Sequence, residues 1–159
     1  MRMLSLLLAL AALLLYGCDS GGGGSAFCDD FSFRSGGTLT ATVDGESVQF
    51  SCYNAFTENG LTYITGYEPG ASAFELRSQA TLVIGGTAAG AYAIEGDDPT
   101  DVSTAQYASG NEGSSRAESG AIQVSAYSET RLRGTFRFVT ESGVRVSNGV
   151  FDLDVSGLL

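Results

Sequence analysis

Histidine, lysine and tryptophan are absent from this chain of 159 residues, which has only three cysteines and two prolines. The missing histidine is the most restrictive absence. Nucleophiles of the Ser-His-Asp and Cys-His kind lose their base, and a zinc site loses its commonest nitrogen ligand. The missing tryptophan removes a side chain suited to lining an extended sugar cleft, although two carboxylates alone can hydrolyse a glycoside when about 5–10 Å apart. Positive charge is also scarce. Eight basic residues, all arginine, stand against 18 carboxylates, for a formal net charge of −10. Such a surface repels phosphate backbones and excludes nucleic acid as a partner. The sequence holds no G-x-S-x-G, no P-loop and no dinucleotide fingerprint. No cofactor is implied, and the expectation is a protein that is not an enzyme.

What is present begins with an address. Met1-Arg2-Met3 is a minimal basic start, and residues 4–15 are apolar apart from Ser5, the length of a signal-peptide core and too short for a permanent membrane span. The run ends in Leu15-Tyr16-Gly17-Cys18. This resembles the lipobox of bacterial lipoproteins, with an aliphatic residue three before the cysteine and a small one directly before it; Tyr16 is bulkier than usual between them. The resemblance implies thioether acylation of Cys18 and cleavage before it. Asp19-Ser20 and the Gly/Ser run through Ser25 follow; such residues do not pack a core and read as a tether. The expected organisation is a signal helix over 1–17, the lipidated cysteine and tether over 18–37, a β domain over 38–155 and a tail over 156–159. The place is the cell envelope, lipid-anchored to a bacterial membrane, periplasmic or surface-exposed.

Cys28 and Cys52 remain. An isolated pair outside the cytoplasm usually bridges. Cys52 is in phase with Val48 and Phe50, so it is expected to point into the core, where Cys28 could reach it. A nucleophilic cysteine would need a basic partner that a histidine-free chain lacks.

From Thr38 onward the hydrophobic period is two. Leu39, Ala41 and Val43 alternate with threonines before Asp44-Gly45; Val48 and Phe50 resume the apolar face; Asn59-Gly60 turns the chain into Leu61-Thr62-Tyr63-Ile64-Thr65. Ala80, Leu82 and Ile84, then Tyr92-Ala93-Ile94, then Ile122 and Val124 continue the pattern, broken by glycine. Strand-length runs at this spacing predict one antiparallel β-sandwich or flattened barrel of about eight strands. Residues 100–108 are compatible with a single helical turn, and 109–119 read as a loop.

The last hairpin is the most informative. Leu132, Phe136 and Phe138 face opposite Arg131, Arg133 and Arg137, and Glu141-Ser142-Gly143 turns the chain. Val144 and Val146 continue the apolar face on even numbers, but Phe151, Leu153 and Val155 carry it on odd ones. A β-bulge at Ser147-Asn148-Gly149 accounts for the flip and puts Asp152 and Asp154 outside, beside the arginines.

Gly134-Thr135-Phe136-Arg137-Phe138, a short turn, and Val144-Arg145-Val146-Ser147-Asn148-Gly149-Val150-Phe151 resemble the ending of a family of bacterial lipoproteins of unknown activity, which closes on G-T-F-x-F and V-x-I-T-N-G-x-F. Ala41-Thr42-Val43-Asp44-Gly45, Gly90-Ala91-Tyr92 and Gly120-Ala121-Ile122-Gln123-Val124 fit it too. Ser147 and Ala91 stand where the family more often has threonine. The resemblance spans about 38–155 and implies a lipid-anchored all-β domain, without bringing a substrate or a site.

Two further groups are candidates for function. Asp97, Asp98 and Asp101 form the densest acidic cluster; their oxygens suit a hard cation, but the spacing is not that of an EF-hand and Asp-Pro-Thr is ordinary turn chemistry, so no metal is expected. Tyr53 and Tyr127 fall out of phase with the apolar positions of their strands and are expected on an outer face, where exposed tyrosines make ligand surfaces. The expected function is a binding or structural module that meets the membrane through its lipid and a partner at the envelope, either a protein or a glycan. A lipocalin-like barrel around a small apolar ligand is the alternative, and a carboxylate-based glycan-active enzyme is a third.

The address has a direct test. Mass spectrometry of the mature protein should show a diacyl or triacyl mass on Cys18, and Cys18→Ser should abolish it, because serine offers no thiol for the thioether. An unmodified protein starting elsewhere would sink the lipoprotein reading.

Overall fold

The computed structural model describes residues 27–72, 75–95, 103–110 and 113–158. After one helical turn at 27–30, every strand pairing among the described residues is antiparallel, apart from one isolated parallel bridge between Ile94 and Ser103. Its strands are β1 (Gly37–Val43), β2 (Glu46–Gln49), β3 (Cys52–Glu58), β4 (Leu61–Pro69), β5 (Leu76–Ile84), β6 (Gly90–Glu95), β7 (Thr104–Ser109), β8 (Gly113–Tyr127), β9 (Arg131–Thr140) and β10 (Arg145–Asp154). They form one 10-stranded sheet in the order β2-β1-β10-β9-β8-β7-β5-β4-β3, with β6 also on β8. The sheet is curled into a half-barrel.

The 15-residue β8 is the spine of the sheet. Its first half pairs with β7 from Ser109↔Gly113 to Gln106↔Arg116, its second half with β6 from Glu95↔Ser119 to Gly90↔Val124. Along the opposite edge it pairs with β9. These pairings correct two expectations. Residues 104–109 form a strand rather than a helical turn, since β5 and β8 flank them on both sides and Ala105 and Tyr107 point inward. The Gly- and Ser-rich stretch from Gly113 is strand rather than loop, because neighbours supply the ladder that its composition does not favour. Hence ten strands stand among the described residues where about eight were expected.

Two-residue turns do the local work where the sequence placed them. Asp44-Gly45 (φ 48° and 92°) and Asn59-Gly60 (φ 52° and 78°) both hold two successive left-handed residues, the type I′ geometry that matches strand twist. The curl brings the inner faces of the sheet's two ends together. A Cβ on Gly66 of β4 would collide with the Leu39 side chain of β1 and lie 3.0 Å from that of Phe50. Tyr53, Phe138, Phe151, Ile64, Leu82, Ile122, Leu132 and Leu153 fill the space between.

The bulge is where the sequence put it. Register between β10 and β9 shifts between Val146 and Gly149, and Phe151, Leu153 and Val155 are buried at 0%, 1% and 0% exposure. Asp152 and Asp154 lie on the outer side. The left-handed residue is Asn148 (φ 50°), which tolerates that region, and not Gly149. Gly149 is required for space: a Cβ there would sit 2.6 Å from both the Phe136 ring and its carbonyl oxygen.

Phe151→Ala should therefore cost about 3–5 kcal/mol, as for a fully buried phenylalanine. Asp152→Ala should cost less than about 1 kcal/mol, and Gly149→Val should be worse than its small size suggests. Denaturant titration of the three variants checks the order; a larger loss for Asp152→Ala than for Phe151→Ala would mean the register is wrong.

Candidate functional site

Tyr53 and Tyr127, expected on the outer face, both turn inward. The chain passes from the β1 edge to the β4 edge through Phe50 and Ser51, and its phase changes there. Tyr53 pairs with Gly66 and Ala55 with Ile64, all facing the core, and Tyr53 is only 2% exposed. Its hydroxyl lies 2.7 Å from the Gly36 carbonyl and 2.6 Å from that of Asp154, sharing its proton between them. Burial, then the nearby Asp154 charge, holds the phenol above its ordinary pKa, so it stays neutral and donating at neutral pH. Tyr127 is turned by a second register shift, between Val124 and Ala126. It packs against the main core, and its hydroxyl is 3.0 Å from Oγ1 of the fully buried Thr62. Both tyrosines serve the fold.

The same phase change moves Cys52. It is fully buried, but on the outer face of β3, where it bridges to Cys28 with Cα atoms 5.8 Å apart. The disulfide fastens the segment 27–34 over the outside of the sheet and creates a second, smaller core of Phe27, Cys28 and Cys52, edged by Phe33, Tyr67 and Leu76. Arg34 continues the segment along the edge of β3, exchanging backbone hydrogen bonds with Tyr53 at 2.9 and 2.8 Å, and its guanidinium donates to the Ser156 carbonyl at 2.6 Å. An edge that would invite pairing with another chain is covered in this way.

Aromatic rings that the sequence reading passed over gather on that outer face. Phe33 stacks on Tyr67 (centroids 4.2 Å, planes 10° apart), and Phe31 stacks on Phe33 at 5.7 Å. Further along β4, Tyr63 stacks on its cross-strand partner Phe56 at 4.7 Å and 7°. Phe31 is 52% exposed and Phe56 39%, so part of each ring faces water. The signal was in the sequence as Tyr63, Thr65 and Tyr67 at period two, on the face opposite Thr62, Ile64 and Gly66.

On the outer face of β9 and β10, Asp152 accepts from Arg131 (2.7 and 2.8 Å) and from Arg133 (3.1 and 2.7 Å). Hydrogen bonds from Arg131 and Arg133 hold the Asp152 carboxyl well below the usual carboxylate range. Asp154 accepts instead from the Ser156 amide at 2.9 Å. A cleft of about 590 Å³ opens between the β1–β2 turn, the β9–β10 turn and the adjoining ends of β7 and β8, lined by Asp44, Glu46, Tyr107 and several serines. Asp44 is committed to the turn, its carboxylate accepting from the Arg145 amide at 2.9 Å.

Among the described residues no group of three or more His, Cys, Asp or Glu could hold a metal ion, and no helix is long and apolar enough to cross a membrane. Cys18, Asp97, Asp98 and Asp101 lie outside the described residues. Comparison with protein-family models, with curated proteins and with solved structures finds no match.

Two predictions follow from this geometry. Cys28 and Cys52 should resist alkylation until reduced, and reduction should cost roughly 3 kcal/mol in the chain-entropy account of a loop this long; free labelling of both thiols in exported protein would remove the crosslink. Because Asp152 titrates lower folded than unfolded, its contribution to stability is present above about pH 4 and is lost as pH falls below that toward its folded pKa. Asp152→Asn should flatten that acid limb of the stability–pH curve, whereas an unchanged limb would assign the acid sensitivity elsewhere.

Proposed function

We propose that the protein is a lipid-anchored module of the bacterial cell envelope whose work is non-catalytic binding through the outside of its sheet. The observation that carries this reading is the contrast between the two faces of β3 and β4. The inner face is filled with packed side chains, while the outer face presents Phe56 stacked on Tyr63, with Asn54, Thr65 and Thr81 beside them as hydrogen-bonding groups. Half-exposed aromatics on a rigid sheet, set among polar side chains, give a partner both apolar area and orientation at little entropic cost. An envelope protein or a glycan would fit such a surface.

The packed interior also favours a module over a lipocalin-like carrier, which needs an apolar space to hold its ligand. Whether the curl is best classed as a flattened barrel or as a sandwich does not alter this, since the inner faces of the two ends touch at Gly66 and Leu39.

The test is capture from an envelope extract on immobilised protein. Phe56→Ser combined with Tyr63→Ser should lose the captured partner, while Val150→Ser, an exposed apolar position on β10, should retain it. Equal capture by all three proteins would remove the β3–β4 face from the account.

A further inference from the structure

The second aromatic group sits at a particular place. Phe27 is the first described residue, and its ring packs at 5.1 Å from Phe31 and 6.0 Å from Tyr67. The segment that would carry the lipid therefore joins the domain inside this group. On the proposed lipid-anchored reading, only residues 18–26 separate the acylated sulfur from Phe27. Nine residues reach at most about 30 Å. The face of the domain around Phe27 is thus held within that distance of the bilayer surface.

We infer that the patch formed by Phe31, Phe33 and Tyr67 rests in the interfacial region of the membrane that holds the lipid anchor. This rests on the anchored reading of Cys18 and names the surface that the anchor presents to the bilayer. Phe31 is 52% exposed, the most exposed large apolar side chain among the described residues, and lies at the patch's outer edge. Tyrosine and phenylalanine suit the headgroup boundary, where an apolar ring and a polar tip are both satisfied. A short tether raises the local concentration of bilayer to the millimolar range, so a contact too weak to bind from solution suffices to orient an anchored domain. The disulfide keeps the patch in place by fixing Cys28, between Phe27 and Phe31, to β3.

The charges select the kind of lipid. Asp29 and Asp30 are exposed immediately before Phe31, and the Arg34 guanidinium is engaged with the Ser156 carbonyl. The seat is therefore suited to zwitterionic headgroups and opposed by anionic ones. The Phe56–Tyr63 pair, further along β4, stays free for a partner.

The absence of tryptophan makes the experiment direct. Full-length lipidated Phe31→Trp and Val150→Trp, each with a single tryptophan, are reconstituted in phosphatidylcholine vesicles with and without brominated acyl chains. Phe31→Trp should show blue-shifted emission and loss of intensity to the brominated lipid, Val150→Trp neither, and replacing part of the lipid by phosphatidylglycerol should reduce the effect at low salt. Phe33→Trp provides a second reporter should Phe31→Trp misfold. Water-like emission without quenching at both 31 and 33, or equal quenching at 150, would overturn the inference. The mass of Cys18 separates this from failure of the anchor. Where that mass shows no acyl chain, the same variants are coupled through a histidine tag at the N-terminus to chelating-lipid vesicles, and quenching confined to 31 and 33 supports the seat on its own.

Discussion

The structure depends on one sheet burying its own inner face. Among the described residues no layer of helices covers the sheet, which curls until its ends touch, and that sets where bulk is allowed. Gly66 lets β4 come down on Leu39 and Phe50, and Gly149 leaves room for the Phe136 ring. The Tyr53 phenol then ties the end of the curl to the chain before β1 and to the end of β10 through the Gly36 and Asp154 carbonyls. A buried phenol is a costly group unless it donates, so this tie works only when both ends have come together. Closure and burial are the same event.

Once the ends meet, the edge of β3 has to be managed, and the chain uses its own start to do so. The pairing of Arg34 with Tyr53 and the disulfide between Cys28 and Cys52 lay the segment 27–36 across the outside of β3 before it enters β1. The other edge, β2, is only four residues long and exposes the Glu46 charge, which discourages pairing by shortness and charge. The segment that guards the first edge brings Phe27, Phe31 and Phe33 onto the sheet's exterior, so an edge-protection device also builds the most exposed apolar surface near the junction with the N-terminal region.

How much of this was legible depended on which residues sit where the phase of a strand changes. At 147–149 the flip was readable because the apolar positions move from Val146 to Phe151 across an Asn-Gly pair, and only a bulge keeps Asp152 outside. At Ser51 and Ser125 the same change occurs without glycine and without a charge to be rescued. Continuing the period through them put Tyr53 and Tyr127 outside and Cys52 in the main core, whereas the register shift at Ser125 and the corner at Phe50-Ser51 reverse each. The hairpin turns at Asp44-Gly45 and Asn59-Gly60 were legible because two successive left-handed residues admit few sequences. β7 and the first half of β8 were not, since Ser109, Gly113 and Ser114 do not favour a strand of their own and become strand through their neighbours.

The aromatic surfaces went unseen for a related reason. A tyrosine at period two on a strand is ambiguous until it is known which face is buried, and on β4 the inner positions are Thr62, Ile64 and Gly66, of which only one looks like core. Thr62 is buried because its hydroxyl donates to the Gly86 carbonyl and meets Tyr127, and Gly66 because Leu39 and Phe50 occupy the place of its side chain. With the small and polar residues inside, the large rings of Tyr63 and Tyr67 are left outside, against the usual direction of burial. Such an inversion is tolerated where the opposing end of the sheet fills the core from its own side. The outward rings then gain by stacking on Phe56 and Phe33 rather than on the core. A filled interior and an aromatic exterior on the same two strands are therefore one consequence of the curl, and it is the exterior that is left available for recognition.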